Sequence, residues 1–125
     1  MINNVVLTGR LTRDPELRYS EGGVPFTIFT LAVDRKYKNN DGERIADFID
    51  VLTWRKVAES CAEYLNKGSL VGVEGRLQIR KNKQEDRTYI NTEVVASSVQ
   101  FLERKDKIVA EDDQEKVEEE IEAPF

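Results

Sequence analysis

DRKYKNNDGERIADFIDVLTWRK, residues 34–56, sets two runs of strand-forming residues on either side of the turn segment Asn39-Asn40-Asp41-Gly42. At the strand period of two, Phe48, Asp50, Leu52 and Trp54 share one face, and Ile49, Val51 and Thr53 share the other. The second face reads as core. The first carries two large aromatics, and Arg35 and Tyr37 on the preceding run are expected to extend it, with Tyr37 and Phe48 close together at the wide end of the hairpin. Rings stack on bases and cations pair with phosphates, so this face has the composition that a single-stranded nucleic-acid groove requires. The plain alternative is that the aromatics fill a core, as aromatics in strands usually do. Asp50 is out of place on a binding face, and is expected either to pair with a neighbouring arginine or to sit at the edge.

Working outward, Asn3–Leu11 reads as a first strand closed by Asp14-Pro15. Ser20–Gly23 is a turn by its glycines, and Val24–Tyr37 alternates as a long second strand, with Phe26, Ile28, Thr30 and Ala32 set against Thr27, Phe29, Leu31 and Val33. Ala46–Trp54 is the third strand. After Lys56 the period changes: Val57, Cys61, Tyr64 and Leu65 recur at helical spacing, and Gly68 stands where a glycine would end the helix after Lys67. Ser69–Lys81 resumes the period of two, with Val71, Val73, Gly75, Leu77 and Ile79 against Glu74, Arg76, Gln78 and Arg80. A charged loop, Asn82–Arg87, leads to a fifth strand from Tyr89 to Leu102. Five strands with one short helix between the third and fourth match the OB-fold, an all-β Greek-key barrel that binds oligonucleotides on one face and in its loops. Fold alone does not set function, since the same barrel also binds sugars and proteins.

The 125 residues suit one ordinary domain with an appendage. Cys61 is the lone cysteine and there is no histidine, so neither an intramolecular disulfide nor a zinc-ligand set is available, and no cofactor or metal is expected. The opening MINNVVLTGR has no signal-peptide pattern and no window approaches a membrane span, which leads to the expectation of a cytoplasmic, nucleoid-associated protein. The net charge of −5 is unevenly spread. Residues 1–105 hold 17 Lys/Arg against 15 Asp/Glu, whereas residues 106–125 hold 2 Lys against 9 acids. A weakly basic domain, 1–105, joined to an acidic tail, 106–125, is the expected organisation, and such asymmetry points to a nucleic-acid or protein-interaction module.

GRLTRDPELRY, TLAVDRKYK, DFIDVLTWRKVAE, YLNKGSLVGVEGRLQIRK and TEVVA occur here in the order in which bacterial single-stranded DNA-binding proteins carry them, and the chain resembles that family over Ile2–Leu102. The resemblance implies sequence-nonspecific binding of single-stranded DNA in replication, recombination and repair, a homotetramer that wraps the strand, and no catalysis. It implies stacking of bases on Tyr37, Phe48 and Trp54. It also implies backbone contacts from a set of cations, Arg35, Lys36, Lys38, Lys56, Lys67, Arg76, Arg80, Lys81 and Arg87. A family aromatic that follows the fourth strand's basic residues is replaced here by Asn82.

EDDQEKVEEEIEAPF has the low hydrophobicity and charge density of disorder. Its plain reading is a solubilising run, but a terminal phenylalanine serves solubility poorly. Members of the family resembled end in a similar acidic tip that docks replication, recombination and repair proteins, which gives Glu118, Glu119, Glu120, Ile121, Glu122, Ala123, Pro124 and Phe125 as the candidate partner-binding tip. Glu122-Ala123 stand between Ile121 and the closing Pro-Phe, a departure from the family pattern. An enzyme would need a rigidly held base or metal site, and the carboxylate clusters Glu111-Asp112-Asp113 and Glu118-Glu119-Glu120 lie in a segment too polar to hold one. An accessory or RNA-binding OB-fold protein would be favoured had the acidic tip been missing.

Overall fold

A computed structural model describes residues 1–103. The expected acidic tail and its tip, together with the domain boundary at 105, lie outside the described residues. Six strands and one helix follow in the order β1 (Val5–Leu11), β2 (Glu16–Tyr19), β3 (Pro25–Lys38), β4 (Arg44–Trp54), α1 (Arg55–Tyr64), β5 (Leu70–Gln84) and β6 (Arg87–Phe101). The sheet runs β1-β5-β6-β4-β3, and β1 returns to β3 through Arg10↔Ala32 and Leu11↔Leu31, closing a five-stranded barrel. All neighbours are antiparallel except β4 and β6, which pair parallel over Asp50–Leu52 and Glu93–Val95. This is the OB-fold that the sequence leads one to expect. β2 is an addition, a four-residue strand laid along the free edge of the first half of β3.

Alternation decides what the barrel encloses. Thr27, Phe29 and Leu31 of β3 and Val51 and Thr53 of β4 have no exposed surface, and Val71, Val73 and Val94 complete the filling from β5 and β6. The Thr27 and Thr53 hydroxyls bond to each other, so the two buried polar groups satisfy one another. Closure requires glycine at two points. A Cβ on Gly9 would collide with the Ala32 carbonyl where β1 crosses β3, and one on Gly75 would collide with the Val95 carbonyl. At Gly75 the β5–β6 register slips by one residue, and the extra residue, Ser97, donates its hydroxyl to the Glu74 carbonyl.

α1 plugs one end of the barrel, with Ala58, Cys61 and Leu65 turned inward. It begins two residues earlier than its periodicity suggests, because β4 runs into it without a loop, and Arg55 absorbs the change of direction in a left-handed conformation (φ 58°). It also ends earlier. Leu65 is extended (φ −101°, ψ 149°) so that its side chain reaches the core, and Gly68 (φ 89°) serves the following turn instead of capping the helix. That turn is held by β1 and the bend after it: the Gly68 amide donates to the Leu11 carbonyl (2.8 Å) and the Lys67 amide to Asp14 Oδ1 (2.7 Å).

The two hairpins differ from expectation in opposite ways. Asn39–Gly42 forms the turn read from the sequence, with Asn39 Oδ1 accepting from the amides of Asp41 and Glu43, but β3 slips register between Asp34 and Lys38 before reaching it. The expected loop Asn82–Arg87 is mostly strand: β5 and β6 stay paired to Gln84↔Arg87, leaving Glu85 and Asp86 as the turn of a long arm. A polar sequence is no obstacle to pairing when both faces meet water. Among the described residues no helix is long and apolar enough to cross a membrane.

Candidate nucleic-acid interface

The outward faces of β2, β3, β4, β6 and β5 line up in cross-strand rows. Trp54 lies opposite Phe26, and Phe26 opposite Arg18. Next come Glu16, Ile28, Leu52, Val95 and Arg76, then Thr30, Asp50, Glu93 and Gln78, then Ala32 and Phe48. The face read from the sequence as Phe48, Asp50, Leu52 and Trp54 is therefore real, and its reverse, with Ile49, Val51 and Thr53, is the core side.

The two rings on this face differ in setting. Trp54 is half-buried and leans on Phe26, ring centres 5.1 Å apart and tilted by 41°. Phe48 is 69% exposed, because its β3 neighbour is the small Ala32 and the β4–β6 pairing stops at Asp50. Six residues along one strand place them about 20 Å apart, with Ile28 as exposed apolar surface between and Leu52 buried beside it. Tyr37 is 81% exposed but does not join Phe48. Its immediate neighbour Lys38 pairs with Arg44, so Tyr37 stands roughly 10 Å further along the hairpin, beyond the irregularity at Asp34–Lys38. The alternation rule fails there because the register slips.

Among the described residues Asp50 pairs with no arginine. It accepts from Thr30 Oγ1 (2.9 Å) within its own row. The arginine goes to Glu93, a residue the sequence reading passed over: Arg80 Nε meets Glu93 Oε1 at 2.6 Å and Gln78 Nε2 donates to the same oxygen (3.0 Å), while Gln78 Oε1 accepts from Arg76 (3.0 Å). Glu93 is 7% exposed, a buried carboxylate with its partner in place. Arg80 thus neutralises Glu93 in the middle of the face, and Asp50 is the carboxylate there without a cation partner among the described residues.

Those cations divide. Arg76, Arg80 and Arg87 are on the outward side of β5 and β6, whereas Lys81 lies opposite Ile90 on the reverse side of the arm, so the Arg80-Lys81 pair does not act from one surface. Arg35 is on the reverse side as well, and forks onto Asp47 (2.9–3.2 Å). That hydrogen bond holds the Asp47 carboxyl below its ordinary range and raises the Arg35 guanidinium. The Arg35–Tyr37 extension of the aromatic face is thus replaced by an ion pair facing the other way. Lys36 and Lys38 are exposed near the hairpin end, Lys56 lies on α1 and Lys67 on the turn before β5. Arg18 is the cation the sequence reading missed; ELRY is too short for a period of two to declare itself. Cys61 is sealed in the core, where burial pushes its thiol up to about 12, far from the thiolate that a nucleophile needs.

Residues 2–102 match the single-strand binding protein family. The chain is 60% identical over 104 residues to the single-stranded DNA-binding protein of Halalkalibacterium halodurans, a match covering 82% of this chain and 62% of that one. It is 58% identical over 107 residues to single-stranded DNA-binding protein A of Bacillus subtilis, covering 84% and 62%, and equally to single-stranded DNA-binding protein 3 of Listeria innocua, covering 84% and 66%. The chain therefore spans a little under two thirds of the length of these relatives. The match takes in every strand of the barrel, and the chain belongs to the single-strand binding protein family.

Proposed function

We propose that this protein binds single-stranded DNA without regard to sequence and catalyses no reaction. The observation that carries the reading is Phe48, a large ring held 69% exposed on a strand, on the same outward face as Trp54, Arg18 and Arg76. A ring so placed adds nothing to the core and offers a flat surface on which any base stacks. Bases stack on Phe48 and Trp54, with Tyr37 a separate platform at the hairpin end. Arg76, Arg80 and Arg87 track phosphates on one side, while Lys36, Lys38, Lys56 and Lys67 serve further along the path; Arg35 and Lys81 face away and contribute only to the general field. The Asp50 carboxylate keeps phosphates away from the middle of the face, so bases turn towards the sheet.

Self-assembly is part of the proposal. β1 pairs with β3 only through Arg10 and Leu11, which leaves the edge of Val5–Gly9 that faces away from β5 without a strand among the described residues. On the arm, Leu77, Ile79 and Ile90 are 42%, 57% and 62% exposed. A homotetramer that covers these surfaces gives one strand a longer track than a single barrel offers. The tip Glu118–Phe125 is proposed to recruit replication, recombination and repair proteins in the cytoplasm, with Ile121, Pro124 and Phe125 as its apolar part.

Trp54 is the sole tryptophan and reports directly. Oligo-dT should quench its emission, while duplex DNA of equal length at moderate salt should leave it nearly unchanged. Unchanged emission under conditions where binding is proven by another method would sink the stacking assignment, and equal preference for RNA would move the reading to an RNA-binding module.

A further inference from the structure

We infer that the cleft between β2 and the Arg13–Pro15 bend is a phosphodiester subsite that continues the single-strand track past Trp54, with Arg13 and Arg18 as its cations. The inference rests on the nucleic-acid reading above and extends it to an element that the sequence did not declare. The cleft has a volume of about 240 Å³ and is lined by Arg13, Asp14, Glu16, Arg18 and Ile28.

Three features point to a strand's phosphate. The first is register: Arg18, Phe26 and Trp54 form one cross-strand row, so the backbone of Arg18 is two strand spacings, about 10 Å, from that of Trp54, on the same face. All four residues of β2 are paired to β3, which holds Arg18 on the sheet and not on a loop. The second is the disposition of charge. Asp14 spends Oδ1 on the Lys67 amide (2.7 Å), and Glu16 holds one terminal nitrogen of Arg18 (3.0 Å), leaving the remaining guanidinium N–H groups turned outward with the Arg18 side chain 62% exposed. Arg13 has no carboxylate partner among the described residues, so of the two arginines and two acids that line the cleft its guanidinium is left to meet an anion. The third is Ile28, 39% exposed, an apolar wall beside the cations that suits a sugar more than a free ion. A base on Trp54 with its phosphate at Arg18 and Arg13 satisfies ring, wall and cations together.

The test uses the full-length protein and oligo-dT long enough to cross the whole face, titrated from 50 to 200 mM salt with Trp54 emission as a second readout. Each phosphate contact on a single strand contributes roughly 0.7 to the slope of log affinity against log salt. Arg13→Ala with Arg18→Ala should therefore flatten the slope by about 1.4, so that the wild type's advantage over the double variant shrinks about sevenfold across that range. Quenching of Trp54 at saturation should persist. Arg13→Ala and Arg18→Ala singly, each expected to flatten the slope by about 0.7, stand in if the double variant does not fold, and Arg18→Lys, which keeps the charge, should keep its share of the slope. Lys83→Ala removes one charge from the reverse side of the arm and should leave the slope unchanged. A wild-type protein that fails to bind or to quench overturns the function itself. Normal binding and quenching with an unaltered slope in the double variant, or a slope lowered as much by Lys83→Ala as by either arginine, overturns the subsite alone.

Discussion

Phe48 and Trp54 are both aromatic, both on β4 and six residues apart, yet the barrel gives them different duties. Phe48 has little to lose from truncation in the free protein, whereas Trp54 rests against Phe26, a ring pair of the kind that contributes about 0.5–1.5 kcal/mol beyond simple area burial. Phe48→Ala should weaken oligo-dT binding by about 1–3 kcal/mol, the usual scale for a stacked base, with an unaltered thermal transition. Trp54→Ala should weaken binding comparably and also lower stability, by at least about 1 kcal/mol; equal melting temperatures for the two variants would contradict this division. The Arg35–Asp47 pair has its own signature. The folded pKa of Asp47 lies below its ordinary value of 3.8, so the pair stabilises the fold above that pH, and the contribution is lost as pH falls through the lower folded value. Both groups are exposed, so the effect is small and is best read by following Asp47 directly: its carboxyl should titrate below the ordinary aspartate range by NMR, and Arg35→Ala should return it there.

At the scale of elements, β2 and the β5–β6 arm are the two additions to the barrel. β2 covers half of one edge of β3 and brings Arg18 to the aromatic row; it buries little and works by position. The arm extends beyond the core, where every residue from Ile79 to Thr92 is exposed, and yet it keeps isoleucines at 79 and 90 on one face. Apolar side chains on a solvent-bathed hairpin are a liability unless another surface covers them. Ile79→Lys with Ile90→Lys should therefore lower the mass measured by analytical ultracentrifugation without unfolding the barrel, since neither side chain reaches the core. An unchanged sedimentation profile would remove the arm from the assembly.

For the whole molecule the question raised by the proposed function is how an acidic protein would hold an anionic strand. The 9 acids and 2 lysines of residues 106–125 account for the sign of the net charge of −5, while residues 1–105 carry a small excess of cations, of which Arg18, Arg76, Arg80 and Arg87 lie on the outward face. Mobile salt screens charges over about 10 Å at 0.1 M, so an acidic segment competes with DNA best when salt is low. Deleting Val117–Phe125 should leave affinity for oligo-dT equal at moderate salt and slightly raised at low salt, and, on the proposed role of the tip, it should abolish capture of replication and repair proteins. Removing Phe125 alone should lose most partner binding with DNA affinity nearly unchanged, because one buried aromatic can dominate a small interface. Full partner affinity after loss of Phe125 would return the tail to a mere charge run.

The sequence by itself determined the barrel, since periods of two over Val24–Tyr37 and Ala46–Trp54 set out two-faced strands, and a single change of period after Lys56 admits one helix. It determined Phe48 and Trp54 as a pair for the same reason. What it left to the tertiary structure are the places where local periodicity stops carrying information. Register slips at Asp34–Lys38 and at Gly75 depend on what lies across the strand, and the first of them separates Tyr37 from Phe48. β2 is too short to show a period and forms because β3 offers it an open edge. The choice of partner for each charge, Asp47 for Arg35, Glu93 for Arg80 and Thr30 for Asp50, is made across the hairpin pairs β3–β4 and β5–β6, where it depends on a register that the sequence does not state. Patterns along the chain report which side a residue faces; only packing between strands decides what it meets there.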